Sequence, residues 1–166
     1  MSDHAHDEVT ATIVAFLREI GLEVQARTIE EPTFLPGITV DGGVLIFDPV
    51  SLQYPGDLLH EAGHLAVKPP DERQRASADL GNGGADEMMA IAWSYAAALH
   101  LRLPPEVVFH PDGYKGGSGS LIENFAEGRF LAVPMLQWIG MTYDEKRSEE
   151  LGTAAYPVMA RWLREN

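Results

Sequence analysis

The chain of 166 residues contains no cysteine. This absence excludes a disulfide scaffold, a zinc site built on thiolates and a cysteine nucleophile. Any zinc site in the chain therefore has to use histidine and carboxylate ligands, the set more typical of hydrolytic than of structural zinc sites.

Positive charge is scarce, because 12 Lys and Arg stand against 25 Asp and Glu and the net charge is −13. Such a balance repels phosphate groups, so general binding to nucleic acid or to an anionic membrane is not expected. Long apolar runs are missing as well. The longest, residues 88–99, is interrupted by Ser94 and is too short to span a bilayer. With no basic and apolar leader at the start of the sequence, the expected location is cytoplasmic.

The remaining composition is that of a globular protein, with 45% hydrophobic and 22% charged residues. A chain of this length corresponds to one domain, so we expect a single domain over residues 1–166. Residues 1–7 are polar and are predicted to form a mobile tail.

Hydrophobic periodicity predicts an α+β fold in which one helix and a small three-stranded sheet precede several further helices. The alternation of residues 22–29 indicates a strand, and the glycines at 42 and 43 indicate a hairpin between strands 38–40 and 44–47. The predicted helices cover residues 9–20, 55–67, 85–101, 121–130, 134–139 and 156–164, with a short helix in a covering loop at 71–79 and a flexible linker at 114–120.

The second predicted helix carries a His-Glu-x-x-His motif at residues 60–64. His60 and His64 are four residues apart and project from one helical face, so both imidazoles can reach one zinc ion. Glu61 is rotated by about 100° and can contact a metal-bound water instead of the metal. Gly63 leaves space beside the histidines for another backbone. Three apolar residues form the opposite face of the helix: Leu58, Ala62 and Leu65.

A catalytic zinc ion needs a third protein ligand and an open position. With no cysteine, the candidates are carboxylates and the other histidines. Glu87 lies near the start of the long apolar helix, where a buried carboxylate needs a partner such as a metal ion. Asp86 is the alternative ligand, and it could instead orient a ligating histidine. Both acids could also serve only as first-turn residues that complement the helix dipole.

The motif at residues 60–64, followed by a helix with Glu87-x-x-Ala90-x-x-Trp93, resembles the gluzincin branch of the HExxH zinc metallopeptidases. It is most similar to the small ImmA/IrrE-type minimal metallopeptidases, and the resemblance covers about residues 38–104. It implies a zincin-like fold, zinc held by His60, His64 and Glu87, and Glu61 as the base that activates water. It also implies a sheet edge beside the active helix, a role that residues 44–47 could fill by pairing with a peptide.

Two further residues, His110 and Tyr114, are candidates to donate a hydrogen bond to the oxyanion that forms when water attacks a carbonyl. The predicted function is a zinc-dependent metallopeptidase that acts on a peptide or protein substrate. The alternative is a non-catalytic metal-bearing module that binds a regulatory protein partner.

Overall fold

The computed structural model describes residues 3–78 and 83–166. Over these ranges the fold is α+β, as predicted: an N-terminal helix precedes a small mixed sheet, and further helices follow. No helix in the described ranges combines the length and the apolar character needed to cross a membrane.

The elements are α1 (Asp3–Glu19), β1 (Val24–Ala26), β2 (Ile38–Asp41), β3 (Val44–Phe47), α2 (Asp57–Ala66), α3 (Pro70–Arg73), α4 (Gly84–His100), α5 (Ser118–Ala126), α6 (Val133–Trp138) and α7 (Glu145–Leu151).

The sheet has the strand order β1-β3-β2. β2 and β3 form the predicted antiparallel hairpin, whereas β1 pairs parallel to the other side of β3, with Val24 beside Leu45. The expectation that residues 44–47 offer a free edge to a peptide is therefore wrong, because β3 is the central strand and both of its edges are paired. β1 and β2 are the outer strands of this sheet.

α1 begins at Asp3, so residues 3–7 lie in its first turns although the sequence assigned them to a mobile tail. A hydroxyl-to-carbonyl hydrogen bond of 2.9 Å joins Thr10 to His6 within these turns. The helix ends before Gly21, whose φ of 101° favours glycine. Its buried face contains Ile13, Phe16 and Leu17.

α2 and α4 pack closely at Gly63, and this contact brings the two predicted ligand helices together. A Cβ atom on Gly63 would lie 2.9 Å from the carbonyl oxygen of Ala90 and 3.1 Å from its Cα. The space that the sequence analysis expected beside the histidines is thus occupied by the backbone of α4. The predicted apolar face of α2 is also confirmed, since Leu58, Ala62 and Leu65 are fully buried.

The helix predicted over residues 156–164 is wrong, because this segment is irregular. Its backbone forms hydrogen bonds with other elements instead of with itself: the Trp93 indole donates to the Trp162 carbonyl at 2.9 Å. The Arg164 amide donates to the carbonyl of Ala66, at the end of α2, also at 2.9 Å. The Trp93 and Trp162 rings meet edge to face with centroids 5.5 Å apart. Tertiary contacts here outweigh local periodicity.

Arg73 joins this C-terminal segment to the end of α2. Its guanidinium donates to the carbonyls of Leu65 at 3.0 Å, of Lys68 at 3.0 Å and of Arg164 at 2.6 Å. The last carbonyls of a helix have no partner within the helix, so the partly buried guanidinium of Arg73 satisfies them here.

The helix α7 is absent from the sequence prediction. The carboxylate of Asp144 caps it by accepting a hydrogen bond of 2.7 Å from the Arg147 amide, and Gly152 ends it with a φ of 63°. Both are ordinary helix boundary signals that the sequence carries.

Candidate metal centre

Two imidazole nitrogens meet on one face of α2. His60 Nε2 lies 3.2 Å from His64 Nε2, as the spacing of four residues predicts. The side chain of His64 is 4% exposed and that of His60 is 13% exposed. When both Nε2 atoms are deprotonated, imidazoles at this distance can direct two lone pairs toward a common point, which is an arrangement suited to a shared cation.

Glu87, from the first turn of α4, completes the group. Its Oε2 lies 3.1 Å from His64 Nε2, and its Oε1 lies 3.6 Å from His60 Nε2. The Gly63–Ala90 contact sets this approach, because Ala90 is one helical turn beyond Glu87. The structure therefore brings together the three residues that the sequence analysis proposed as ligands.

The distances among these atoms fit a tetrahedral zinc ion. With metal–ligand bonds of about 2.0–2.1 Å, neighbouring ligand atoms in a tetrahedron lie about 3.3–3.4 Å apart. The three measured separations range from 3.1 to 3.6 Å. Since the donors are nitrogen and oxygen only, their chemistry also suits zinc.

Charge at the site is concentrated on two carboxyl groups. Hydrogen bonds from His60 and His64 hold the pKa of Glu87 well below its usual range, so this group is ionised. Burial raises the pKa of Glu61, and the neighbouring histidines partly oppose that effect. Ligand atoms of His60, Glu61 and His64 all lie within 4.8 Å of one another. Glu61 is thus close enough to act on a molecule bound between the histidines.

Asp86 lies apart from the histidine pair. Its Oδ2 forms an ion pair with Lys68 Nζ at 3.9 Å, whereas Glu87 faces the imidazoles. Of the two acids between which the sequence could not decide, Glu87 has the geometry of a ligand. Among the described residues Asp86 makes no hydrogen bond or ion pair with a histidine, and an orienting role would require one.

His110 lies in a second cluster next to the histidine pair. Its Nε2 is 2.9 Å from the Oδ1 of Asp57, which is one turn before His60 on α2, and both side chains are buried. The His110 ring stacks on Tyr54 with a centroid distance of 3.7 Å. Burial raises the pKa of Asp57, and the hydrogen bond to His110 counters that shift. In this arrangement His110 Nε2 is bound to Asp57, and His110 Nδ1 is buried without a hydrogen-bond partner among the described residues.

Tyr114 contacts the centre from the side of His60 that faces away from Glu87. Its hydroxyl oxygen lies 3.1 Å from His60 Nδ1. Burial raises the pKa of Tyr114, so the phenol remains neutral. The predicted flexible linker at residues 114–120 is a short 3₁₀ turn, Tyr114–Gly116, followed by α5.

Asp57 is the residue of this region that the sequence analysis overlooked. Its position three residues before His60 places it on the same helical face, and this spacing was available as a signal. Tyr54, which stacks on His110, carries no comparable pattern in the sequence.

Comparisons with known proteins leave the site to be interpreted from its own residues. A scan against protein-family models, a search of curated proteins and a search of solved structures each find no match to this chain. The resemblance to HExxH metallopeptidases therefore rests on the motif at residues 60–64 and on the helix that carries Glu87.

Proposed function

We propose that the chain is a zinc-dependent hydrolase that acts on peptide bonds. The observation that carries this proposal is the convergence of His60 Nε2, His64 Nε2 and the Glu87 carboxylate at separations of 3.1 to 3.6 Å. Two histidines and one glutamate form a ligand set used by catalytic zinc sites in peptidases.

In this proposal His60, His64 and Glu87 hold the metal. A bound zinc ion would supply a Lewis acid that polarises a carbonyl group and lowers the pKa of water to about 7. Glu61 accepts the proton from the attacking water and returns it to the leaving amine. Its place next to His60 on a rigid helix fixes this carboxylate relative to the donors.

Access to the site supports catalysis over a purely structural role. Structural zinc sites are closed by four protein ligands, whereas catalytic sites keep one position open. The Glu87 side chain is 41% exposed although both histidines are largely buried. The donor group therefore opens to solvent on the side of α4, where a substrate carbonyl can approach.

The deciding experiment combines metal analysis with one substitution. We expect about one zinc per chain in the purified protein, and loss of peptide hydrolysis by a factor of about 10²–10⁴ in Glu61→Gln with zinc retained. Hydrolysis of a peptide library, followed by mass spectrometry, is the readout. Glu149→Gln, at an exposed position of α7, is the matched control and should leave both measurements unchanged.

Two results would contradict the proposal. Hydrolysis that persists in Glu61→Gln would show that Glu61 is not the base. Purified protein without zinc affinity would show that the three residues do not form a zinc site. Stoichiometric zinc without hydrolysis of any peptide would instead support the other interpretation, a metal-bearing module that binds a protein partner.

A further inference from the structure

The segment between His110 and Ser118, called here the 110–118 segment, forms a closed loop against α2. His110 anchors its start through the 2.9 Å contact with Asp57. Ser118 closes its end, because its hydroxyl donates to the carbonyl of His110 at 2.6 Å and lies 3.3 Å from that of Gly113. Both anchoring side chains are buried. The loop is therefore held at both ends while its middle lies beside the metal centre.

The middle of the 110–118 segment has an unusual backbone. Tyr114 and Lys115 adopt φ values of 54° and 52°, in the left-handed region that is unfavourable for residues with a Cβ. Such conformations persist only where the surrounding structure determines them. Here they direct the Tyr114 side chain between α2 and α4, where its ring meets the His60 ring edge to face at 5.4 Å.

The Tyr114 hydroxyl contacts the helix that carries both histidines. It lies 3.1 Å from His60 Nδ1. His60 Nε2 faces Glu87 and His64, so in the ligating tautomer the proton resides on Nδ1 and needs an acceptor. The phenol oxygen is in place to accept it. His64 Nδ1, by contrast, is buried without a hydrogen-bond partner among the described residues.

We infer that Tyr114 is a positioning residue of the metal centre, whose hydroxyl oxygen accepts a hydrogen bond from Nδ1–H of His60 and so keeps Nε2 free to bind zinc. The inference rests on the proposed function only in taking zinc as the ion bound. It assigns Tyr114 to the support of a ligand and not to the stabilisation of an oxyanion. It also gives the 110–118 segment a role in metal affinity.

The first test is the affinity for zinc, measured by competition with a chromophoric chelator. Tyr114→Phe removes the acceptor and keeps the ring, so we expect zinc to bind about 10–100-fold more weakly. Tyr156→Phe is the matched control. Tyr156 is buried and its hydroxyl donates to the Ala92 carbonyl of α4 at 2.9 Å, away from the histidines. Its loss should leave the affinity for zinc unchanged.

The second test observes the proton on His60 Nδ1 in the zinc-loaded protein by ¹H–¹⁵N correlation spectra. Because Tyr114 accepts its hydrogen bond, we expect this Nδ1–H signal to exchange slowly with solvent, and to exchange faster in Tyr114→Phe. An Nδ1–H proton in fast exchange with solvent in the zinc-loaded wild type would overturn the inference, and this result does not depend on whether the variant folds.

The outcomes separate this inference from the proposed function. Unchanged zinc affinity in Tyr114→Phe, or equal losses in Tyr114→Phe and Tyr156→Phe, would overturn the inference alone. Zinc binding without any hydrolysis, together with a weaker site in Tyr114→Phe, would support the inference while the proposed hydrolase fails. A wild-type chain without zinc affinity would overturn both.

Discussion

The two halves of the site come from regions of the chain that differ in how their structure is specified. Residues 38–100 contain the donor atoms, on two regular helices whose periodicity and motif spacing are visible in the sequence. Residues 105–166 contain the supports: the 110–118 segment and the irregular C-terminal segment at the end of α2. The comparison teaches that the identity of the candidate ligands is encoded locally, whereas their orientation depends on contacts between distant parts of the chain.

The largest expected effect lies within the first region and distinguishes two adjacent acids. Glu87→Ala removes the carboxylate that contacts both histidines, so zinc affinity should fall by well over the ~10–100-fold typical of a lost outer partner. Asp86→Ala breaks only the ion pair with Lys68 and should change affinity little. Titration calorimetry on both variants checks this. Equal losses would mean that both acids are ligands, and the reverse order would exchange their assignments.

The next effect tests whether the second region supports the first. His110→Ala leaves Asp57 buried without its partner, and breaking such a pair costs about 3–5 kcal/mol of the free energy of unfolding. Urea denaturation measures this change in the free energy of unfolding. The double variant Asp57→Ala/His110→Ala should lose less unfolding free energy than the two single variants together, because it leaves no unpaired charge. Additive losses would show that the two side chains do not interact.

A smaller loss of unfolding free energy is expected from Arg73→Ala, because this change disconnects the C-terminal segment from the end of α2. Hydrogen bonds that involve a charged group contribute about 1.5–3 kcal/mol, and Arg73 contacts four carbonyls. Arg75, two residues later and exposed, is the matched control, and Arg75→Ala should stay within about 0.5 kcal/mol of wild type. Thermal denaturation compares the pair. Equal stability of the two variants would show that Arg73 does not stabilise the contact between the C-terminal segment and the end of α2.

The smallest effect concerns the helix contact that sets the distance between donors. In a helix, Gly→Ala normally stabilises by about 1 kcal/mol, but at Gly63 the new Cβ meets the Ala90 backbone at 2.9 Å. Overpacking of this kind costs about 1–3 kcal/mol, so Gly63→Ala should destabilise the fold and weaken zinc binding. Gly119→Ala in α5, where the Cβ would meet open space, should be neutral or stabilising. A stabilised Gly63→Ala with normal zinc affinity would contradict the packing described here.

The sequence was sufficient to predict those parts of the structure that depend on residues close together along the chain. The hairpin, α2 and α4 follow from turn glycines and apolar periodicity, and their bounds agree with the prediction within two residues. The convergence of His60 and His64 follows from helix geometry. The sequence alone did not give firm grounds for preferring Glu87 over Asp86 as a ligand. Adjacent side chains point in different directions from a helix, and which of the two faces the histidines depends on how α4 packs against α2.

The sequence was insufficient where partners are distant along the chain. The parallel pairing of β1 with β3 has no local signature, so the central position of β3 was missed. Residues 156–164 have apolar residues at helix-like spacing, yet their backbone bonds to α2 and to residue 141. The glycine-rich residues 114–120 suggested flexibility, but the closure by Ser118 and the partial burial of Tyr114 depend on tertiary structure.

The contact between Trp93 and Trp162 gives the protein an intrinsic optical reporter. These two indoles lie together against Phe16, whereas the third tryptophan, Trp138, is 90% exposed on α6. In Trp138→Phe the remaining tryptophan fluorescence would therefore arise only from the pair that joins the C-terminal segment to α4. A change in emission on adding zinc or a peptide to this variant would report, without any label, that the C-terminal segment shifts against the ligand-bearing helix.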